Sequence, residues 1–496
     1  MQGAVSSREG FPPTVPMRGA QSQLPISIEC TDLLFSVGRK KRIRCILNEL
    51  SCVFHGGTLT AILGPSGCGK TTLMLAISGR MSGHRLKITV SVNGTIVNPV
   101  SNRANIGFVP AHESLFPTDT PREALGFVAR LTRPLFTPSQ RTEAVRSMIE
   151  ALRLAGCQET YMGSALFKGV SSGEKKRSSV GMELLPERQV LFLDEPTTGL
   201  DAVTAYELVD LLRKLAHEQH VCVVAVIHQP SSKIWELFDN VMFMAQGHVV
   251  YHGPVEAVVD YFSSRGYICP SGYSPADYVM FILQTINQQA LFTLVEEYRP
   301  GMLRTRNEIL DRRKYISEHP TEQHLLEPFK RASFGTQFSQ LVIREYRSTT
   351  RDLTVVFLRV FLALLFSTII GFLFFQVGTK PGGAGNPSHI GLVAALAIFS
   401  ISSSGQSLLM SYAAERPIAL REYGSGFYSI FAYSLSKDVL EIPLVTFAVL
   451  VYLTLGYLIG GLQGSFLLLV RHPKSRLCIY FPHSSSECGY RAYPLR

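Results

Sequence analysis

The residues best suited to chemistry stand in three runs along the chain. Gly64-Pro65-Ser66-Gly67-Cys68-Gly69-Lys70-Thr71-Thr72 follows the apolar, strand-like Leu59–Leu63 and opens a helical stretch, Thr71–Ile77. Strand, glycine-rich loop and helix in that order make a phosphate cradle, because glycines let backbone N–H groups close around phosphate oxygens at a helix N-terminus. In such a loop Lys70 reaches the β- and γ-phosphates of a nucleotide and the Thr71 hydroxyl binds magnesium. Gly64 through Thr72 are therefore the nucleotide-binding candidates. Cys68 fills a variable position of the loop, and a redox role for it is the weaker reading.

The second run is Val190–Leu193 followed by Asp194-Glu195-Pro196-Thr197-Thr198-Gly199-Leu200-Asp201. An apolar strand that ends in two acids can place Asp194 at the magnesium and Glu195 where it polarises a water for attack on a γ-phosphate. Taken alone, such a pair is often only a helix cap. The third is His228 after the apolar Val221–Ile227. It could hold the γ-phosphate or the attacking water, although a lone histidine is usually structural and gains weight here from its place in the series.

Positioning these residues takes an α/β sheet domain, and strands and helices do alternate from Ile26 to Gly253. Leu59–Leu63, Val190–Leu193 and Val221–Ile227 read as the clearest buried strands. The basic run Arg39–Arg44 lacks interleaved aromatics and sits between strand-like stretches, so it reads as a solvated hairpin turn and not as a nucleic-acid contact. Residues 1–25 read as a disordered tail without a secretory h-region. Nine widely spread cysteines form no CxxC pair, which excludes a zinc ribbon or a disulfide framework.

The 496 residues carry a formal charge of +10, yet only 17% are charged against 46% hydrophobic, which excludes a disordered polyelectrolyte. The apolar residues concentrate late in the chain. After a basic linker and elbow at 291–350, apolar spans are predicted at about 354–375, 389–412 and 440–460. Arg359, in the second turn of the first span, reads as snorkelling to the interface. Arg344, Arg347 and Arg351 precede span one, Lys380 follows it, and Arg416, Arg421 and Lys437 lie before span three, an in, out, in alternation. By that count the basic tail 471–496 falls on the wrong side. The reading expects an atypical tail or an incomplete membrane part.

Val170-Ser171-Ser172-Gly173-Glu174-Lys175-Lys176-Arg177 lies between the phosphate loop and Asp194-Glu195 and resembles the signature sequence of ABC transporter ATPases. With Ile227-His228-Gln229-Pro230, with the order ATPase first and spans second, and with Glu415-Arg416-Pro417 and Arg421-Glu422-Tyr423, residues 26 to 470 are similar to the G (White/PDR-type) subfamily of half-transporters. The resemblance implies an α/β P-loop NTPase domain of ABC type at 26–290. An all-α transmembrane domain at 351–470 follows, with three spans where the family has six.

The resemblance further implies an integral, multi-pass membrane protein with its ATPase domain in the cytosol, using ATP and Mg2+. It would couple hydrolysis to export of a lipid-like or amphipathic substrate, in contact with membrane lipid and with no nucleic acid. Two chains, as a homo- or heterodimer, would sandwich two ATPs. Ser171, Ser172, Gly173 and Glu174 would contact the partner's nucleotide, and Asp201 would lie between the sites. Two departures stand out: the family's usual SGG is Ser171-Ser172-Gly173 here, and no glutamine stands near Ala111, where the family's Q-loop would have one, with His112 beside it. A truncated or regulatory ATP-binding subunit is the alternative expectation. A soluble ABC-type ATPase would need all three apolar stretches to be buried core helices.

Overall fold

The computed structural model describes residues 25–462, apart from 40–41, 82, 84, 165–166, 320–325, 327–328 and 378–386. The expected N-terminal tail, the run Ser465–Val470 and the tail 471–496 therefore lie outside the described residues, apart from Pro25. Two compact units emerge: residues 1–340 with 418–430, and residues 341–417 with 431–496.

The first unit holds two sheets. Strands β1 (Ile28–Arg39), β2 (Arg42–Phe54), β4 (Leu86–Val92) and β5 (Thr95–Val97) form an antiparallel sheet in the order β2-β1-β4-β5. The basic run does fall at the β1–β2 connection, with Arg39 paired to Arg42. Strands β3 (Leu59–Leu63), β6 (Ile106–Val109), β7 (Val190–Asp194), β8 (Cys222–Val226), β9 (Asn240–Ala245) and β10 (His248–Pro254) form the second sheet, ordered β10-β9-β3-β8-β7-β6. All its pairings are parallel except β9 with β10. Every residue of β3, β7 and β8 is buried, as continuous apolar strands covered on both faces must be. The core between the sheets is built from residues such as Phe54, Leu73, Met74 and Phe192.

The stretch expected as a basic linker takes a different form. Gln288–Glu318 is one helix of 31 residues packed on β1, β2, β5 and β10. Its arginines are docked: Arg306 Nε donates to Asp32 Oδ1 at 2.9 Å, Arg312 pairs with Glu29, and Arg313 donates to Thr31 Oγ1 at 2.9 Å and Ser91 Oγ at 3.1 Å. Arg306 and Arg313, seven residues apart, share one helix face with Arg312 beside it, and that side of the helix meets acids and hydroxyls of the strands. A count of charges along the sequence sees only their density.

After the helix Phe334–Arg351, which enters the second unit at Leu341, that unit has three long helices, Thr354–Leu373, Pro387–Gly424 and Ile430–Gly460, with Ile418–Gly424 and Ile430 assigned to the first unit. The first and third are long and apolar enough to cross a membrane; in the middle one the apolar part, Pro387–Ser402, is shorter than a span. Two spans rather than three are thus supported among the described residues, because serines and Gln406 dilute the middle stretch. Arg359 does not snorkel. Its guanidinium makes a two-pronged ion pair with Glu441, and both side chains are largely buried. Gly456 and Gly460 let the third helix approach Leu396 and Leu392, since a Cβ at either would sit 2.5 Å from a leucine methyl. Ala363, Leu392, Leu396 and Tyr452 form the unit's apolar centre.

Candidate functional site

The parallel sheet delivers the three sequence runs to one edge. Strands β7, β8 and β3 are successive neighbours pointing the same way, so the residues after Leu63, Leu193 and Val226 emerge together at the carboxyl ends. Open α/β sheets bind ligands at that edge. Thr71 Oγ1 donates to Asp194 Oδ1 at 3.1 Å, joining residues that are 123 positions apart. Glu195 follows with φ +49°, a backbone strain held by its N–H bond to Val226 O at 3.0 Å. Its carboxylate meets His228 Nε2 at 2.9 Å and accepts from Thr198 Oγ1 at 3.2 Å. Thr71, Asp194, Glu195 and His228 are thereby brought together.

Within the loop, Lys70 Nζ donates to Gly64 O at 2.7 Å and Pro65 O at 3.0 Å, beside Cys68 Sγ. Cys68 is buried, and burial raises its thiol pKa, which keeps it protonated and unreactive. A Cβ at Gly69 would stand 2.7 Å from Leu47 Cδ2, and the residue has φ +107°, so glycine is required there. Gly67, also left-handed, faces open space within 4 Å. The helix Lys70–Ile77 begins on Gly69 without a side-chain cap, leaving the first-turn N–H groups of Lys70, Thr71 and Thr72 without intrahelical partners. An anion fits such a cradle.

The donor set also fits a hard cation. Thr71 and Asp194 offer two oxygens, and no group of three or more His, Cys, Asp or Glu gathers as a metal site among the described residues. That is the arrangement magnesium uses when phosphate oxygens and water complete its shell. Burial pushes the Asp194 carboxyl pKa up, with Glu195 adding to the rise, against the Thr71 hydrogen bond and the Lys176 and Lys70 ammonium groups. Asp194 therefore loses its charge, and its hold on a cation, earlier than an ordinary aspartate as pH falls.

The signature residues lie apart from this cluster. Ser171 caps the helix Ser172–Leu184 in a capping box: Ser171 Oγ accepts from Glu174 N, and Glu174 Oε2 accepts from Ser171 N at 2.7 Å. A Cβ at Gly173 would come 2.9 Å from Leu200 Cδ2, whereas Ser172 is exposed, with its hydroxyl near Gly199. Among the described residues, no hydrogen bond joins Ser171–Glu174 to Gly64–Thr72. Asp201 is accounted for locally, as the N-cap of Ala202–Gln219 accepting from Val203 N, Thr204 N and Thr204 Oγ1.

Two features were not read from the sequence. Lys176, inside the basic triplet after the signature, is buried and is treated further below. The other is the segment Ile418–Ile430, which belongs to the nucleotide unit although it joins two membrane-type helices. Ser425 Oγ donates to Glu183 Oε1 at 2.6 Å, Arg188 Nη2 donates to Ser425 O at 2.5 Å, and Arg421 Nη1 donates to Ser179 Oγ at 3.3 Å. Glu183 and Arg188 form an ion pair in which each side chain is only 2% exposed. The Arg421-Glu422-Tyr423 run was a signal for this contact, but it names no partner.

The family profile described as ABC transporter matches residues 47–198, and those described as ABC-2 type transporter match 336–471 and 228–300. The chain is 30% identical over 485 residues to ABC transporter G family member 21 of Arabidopsis thaliana, covering 90% of this chain and 71% of that protein. The chain belongs to the ABC transporter G family. Other relatives agree. The ABC transporter ATP-binding protein/permease wht-1 of Caenorhabditis elegans is 32% identical, over 86% of this chain and 66% of its own. Human ATP-binding cassette sub-family G member 8 is 31% identical, over 80% and 62%. This G-family chain thus spans about two thirds of the length of the curated relatives it matches. Its α/β nucleotide-type unit precedes helices of membrane type, as in the matched profiles.

Proposed function

We propose that this G-family chain is an ATP-driven half-transporter that exports a lipid-like or amphipathic compound as a dimer, with its nucleotide domain in the cytosol. One observation carries the reading: Thr71, Asp194, Glu195 and His228 converge from three strand ends beside the Lys70 loop. Thr71 and Asp194 would hold magnesium, which supplies neutralising charge to the phosphates. Lys70 exchanges the carbonyls of Gly64 and Pro65 for phosphate oxygens. Glu195 takes the proton of the attacking water, and His228 and Thr198 fix the direction of its carboxylate.

One chain offers one phosphate cradle and one signature segment, the two lying apart, so a composite site calls for a second nucleotide domain. The capped, exposed start of the helix at Ser171–Ser172 is the surface that would meet it. Ser172 adds a hydroxymethyl group where the family's glycine admits close approach. Ser172→Gly is expected to raise ATPase activity of the dimer severalfold; phosphate release measured on matched preparations checks it, and unchanged turnover would show that the side chain is tolerated.

The reading as a whole is tested in two steps on the full chain. Alkaline carbonate should leave the protein in the membrane pellet, and proteoliposomes should release phosphate from ATP only when magnesium is present. Release of the protein into the carbonate supernatant would sink the transporter reading.

A further inference from the structure

The Lys176 side chain is only 1% exposed, and an ammonium buried to that degree must be fully partnered. Its three partners lie in one loop. Nζ donates to Ala111 O at 2.5 Å and Pro110 O at 3.3 Å, and stands 3.0 Å from Glu113 Oε1. This loop leaves the end of β6, where Val109 is in register with Leu193 of β7, so Pro110 steps off the sheet level with Asp194. Lys176 itself stands in the first turns of the helix that begins at Ser172. One side chain therefore ties the signature helix to the loop beside the magnesium end of β7.

We propose that Lys176 is a positioning residue of the hydrolysis site, clamping the Pro110–Glu113 loop to the signature helix so that the loop and the Asp194 end of the sheet move with that helix. The proposal rests on the ATPase reading above. The ammonium supplies the link through the backbone of Ala111, a residue whose own methyl side chain cannot bond a phosphate, a metal or a water. Lys175, its neighbour, is engaged elsewhere, with Nζ on Gly163 O at 3.2 Å, so it cannot stand in.

The test compares wild type, Lys176→Met, Lys176→Arg and Glu113→Gln as full-length protein in proteoliposomes. Lys176→Met removes all three contacts at similar side-chain length. It should lower kcat by about tenfold or more, the scale of a misplaced but intact site, while the Kd for a fluorescent ATP analogue stays within about threefold. Lys176→Arg, which keeps charge and donors, should recover at least about a third of the wild-type kcat. Hydrogen exchange at the amides of residues 111–113 in the nucleotide-free chain should rise at least about tenfold in Lys176→Met and not in Lys176→Arg.

Wild-type turnover with Lys176→Met within twofold of it, or equal losses in Met and Arg, would overturn the proposal. If Lys176→Met does not fold, Glu113→Gln decides: about a threefold drop in kcat at unchanged ATP affinity supports the clamp, and full activity refutes it. Absence of wild-type hydrolysis would instead sink the ATPase reading. The exchange at 111–113 would then still decide whether Lys176 holds the loop.

Discussion

Glu195→Gln is expected to leave ATP bound and to cut hydrolysis by roughly three orders of magnitude, the usual scale for losing a positioned general base. The amide keeps the size of the side chain and can still accept from Thr198, whose hydroxyl reaches Glu195 Oε2 at 3.2 Å. It cannot take a proton from water. Because, among the described residues, Glu195 makes its hydrogen bonds and ion pair with Thr198, His228 and Val226 and not with the phosphate loop or its lysine, nucleotide affinity should stay near wild type. Single-turnover phosphate release and retention of labelled ATP read the two effects separately. Turnover within a few-fold of wild type would remove Glu195 from the role of base, and loss of ATP binding would place it in the cradle instead.

The second large effect is expected at Glu183. Removing one partner of a buried ion pair leaves the other charge uncompensated, at a cost of about 3–5 kcal/mol. Glu183 and Arg188 are 2% exposed, and Glu183 also accepts from Ser425 Oγ at 2.6 Å. Arg80 lies half-buried nearby, its guanidinium pKa lowered by burial and held up only in part by Glu183, so the substitution deprives two cations of their counter-charge. Glu183→Ala should therefore lower the melting temperature of the nucleotide unit by roughly 10 °C. Ser425→Ala is the milder comparison, at about 1 kcal/mol for one hydrogen bond. It should spare ATP binding and folding while weakening any dependence of ATPase rate on the membrane-type helices, because Ser425 lies in a connection between two of them that packs in the nucleotide unit. A melting shift under about 2 °C for Glu183→Ala would contradict the burial argument.

How much was legible depends on the range of the interaction. The phosphate loop was readable because strand, glycines and lysine lie within one short window, and glycine is demanded there by local backbone geometry as well as by Leu47 packing on Gly69. The strands β3, β7 and β8 were readable to within a residue, since continuous apolar runs have few alternatives once buried on both faces. The membrane-type helices were readable in place but not in extent. The middle helix runs on to Gly424 through polar residues, and the third begins ten residues before the predicted edge, because helix ends are set by packing and not by hydropathy.

What the sequence by itself determined, then, is the set of local chemistries: a phosphate cradle at Gly64–Thr72, an acidic strand end at Asp194-Glu195, and apolar stretches late in the chain. Tertiary structure alone decided who meets whom. The order of β3, β8 and β7 in the sheet brought Thr71 to Asp194 and His228 to Glu195. Burial turned Arg359 from a side chain expected to snorkel to the interface into the partner of Glu441, set Lys176 on Glu113, and placed Ser425 on the Glu183–Arg188 pair. The reason is physical. A backbone preference acts over a few residues and is written in them, whereas a buried charge takes whichever counter-charge the fold brings within about 3 Å, whatever the distance along the chain.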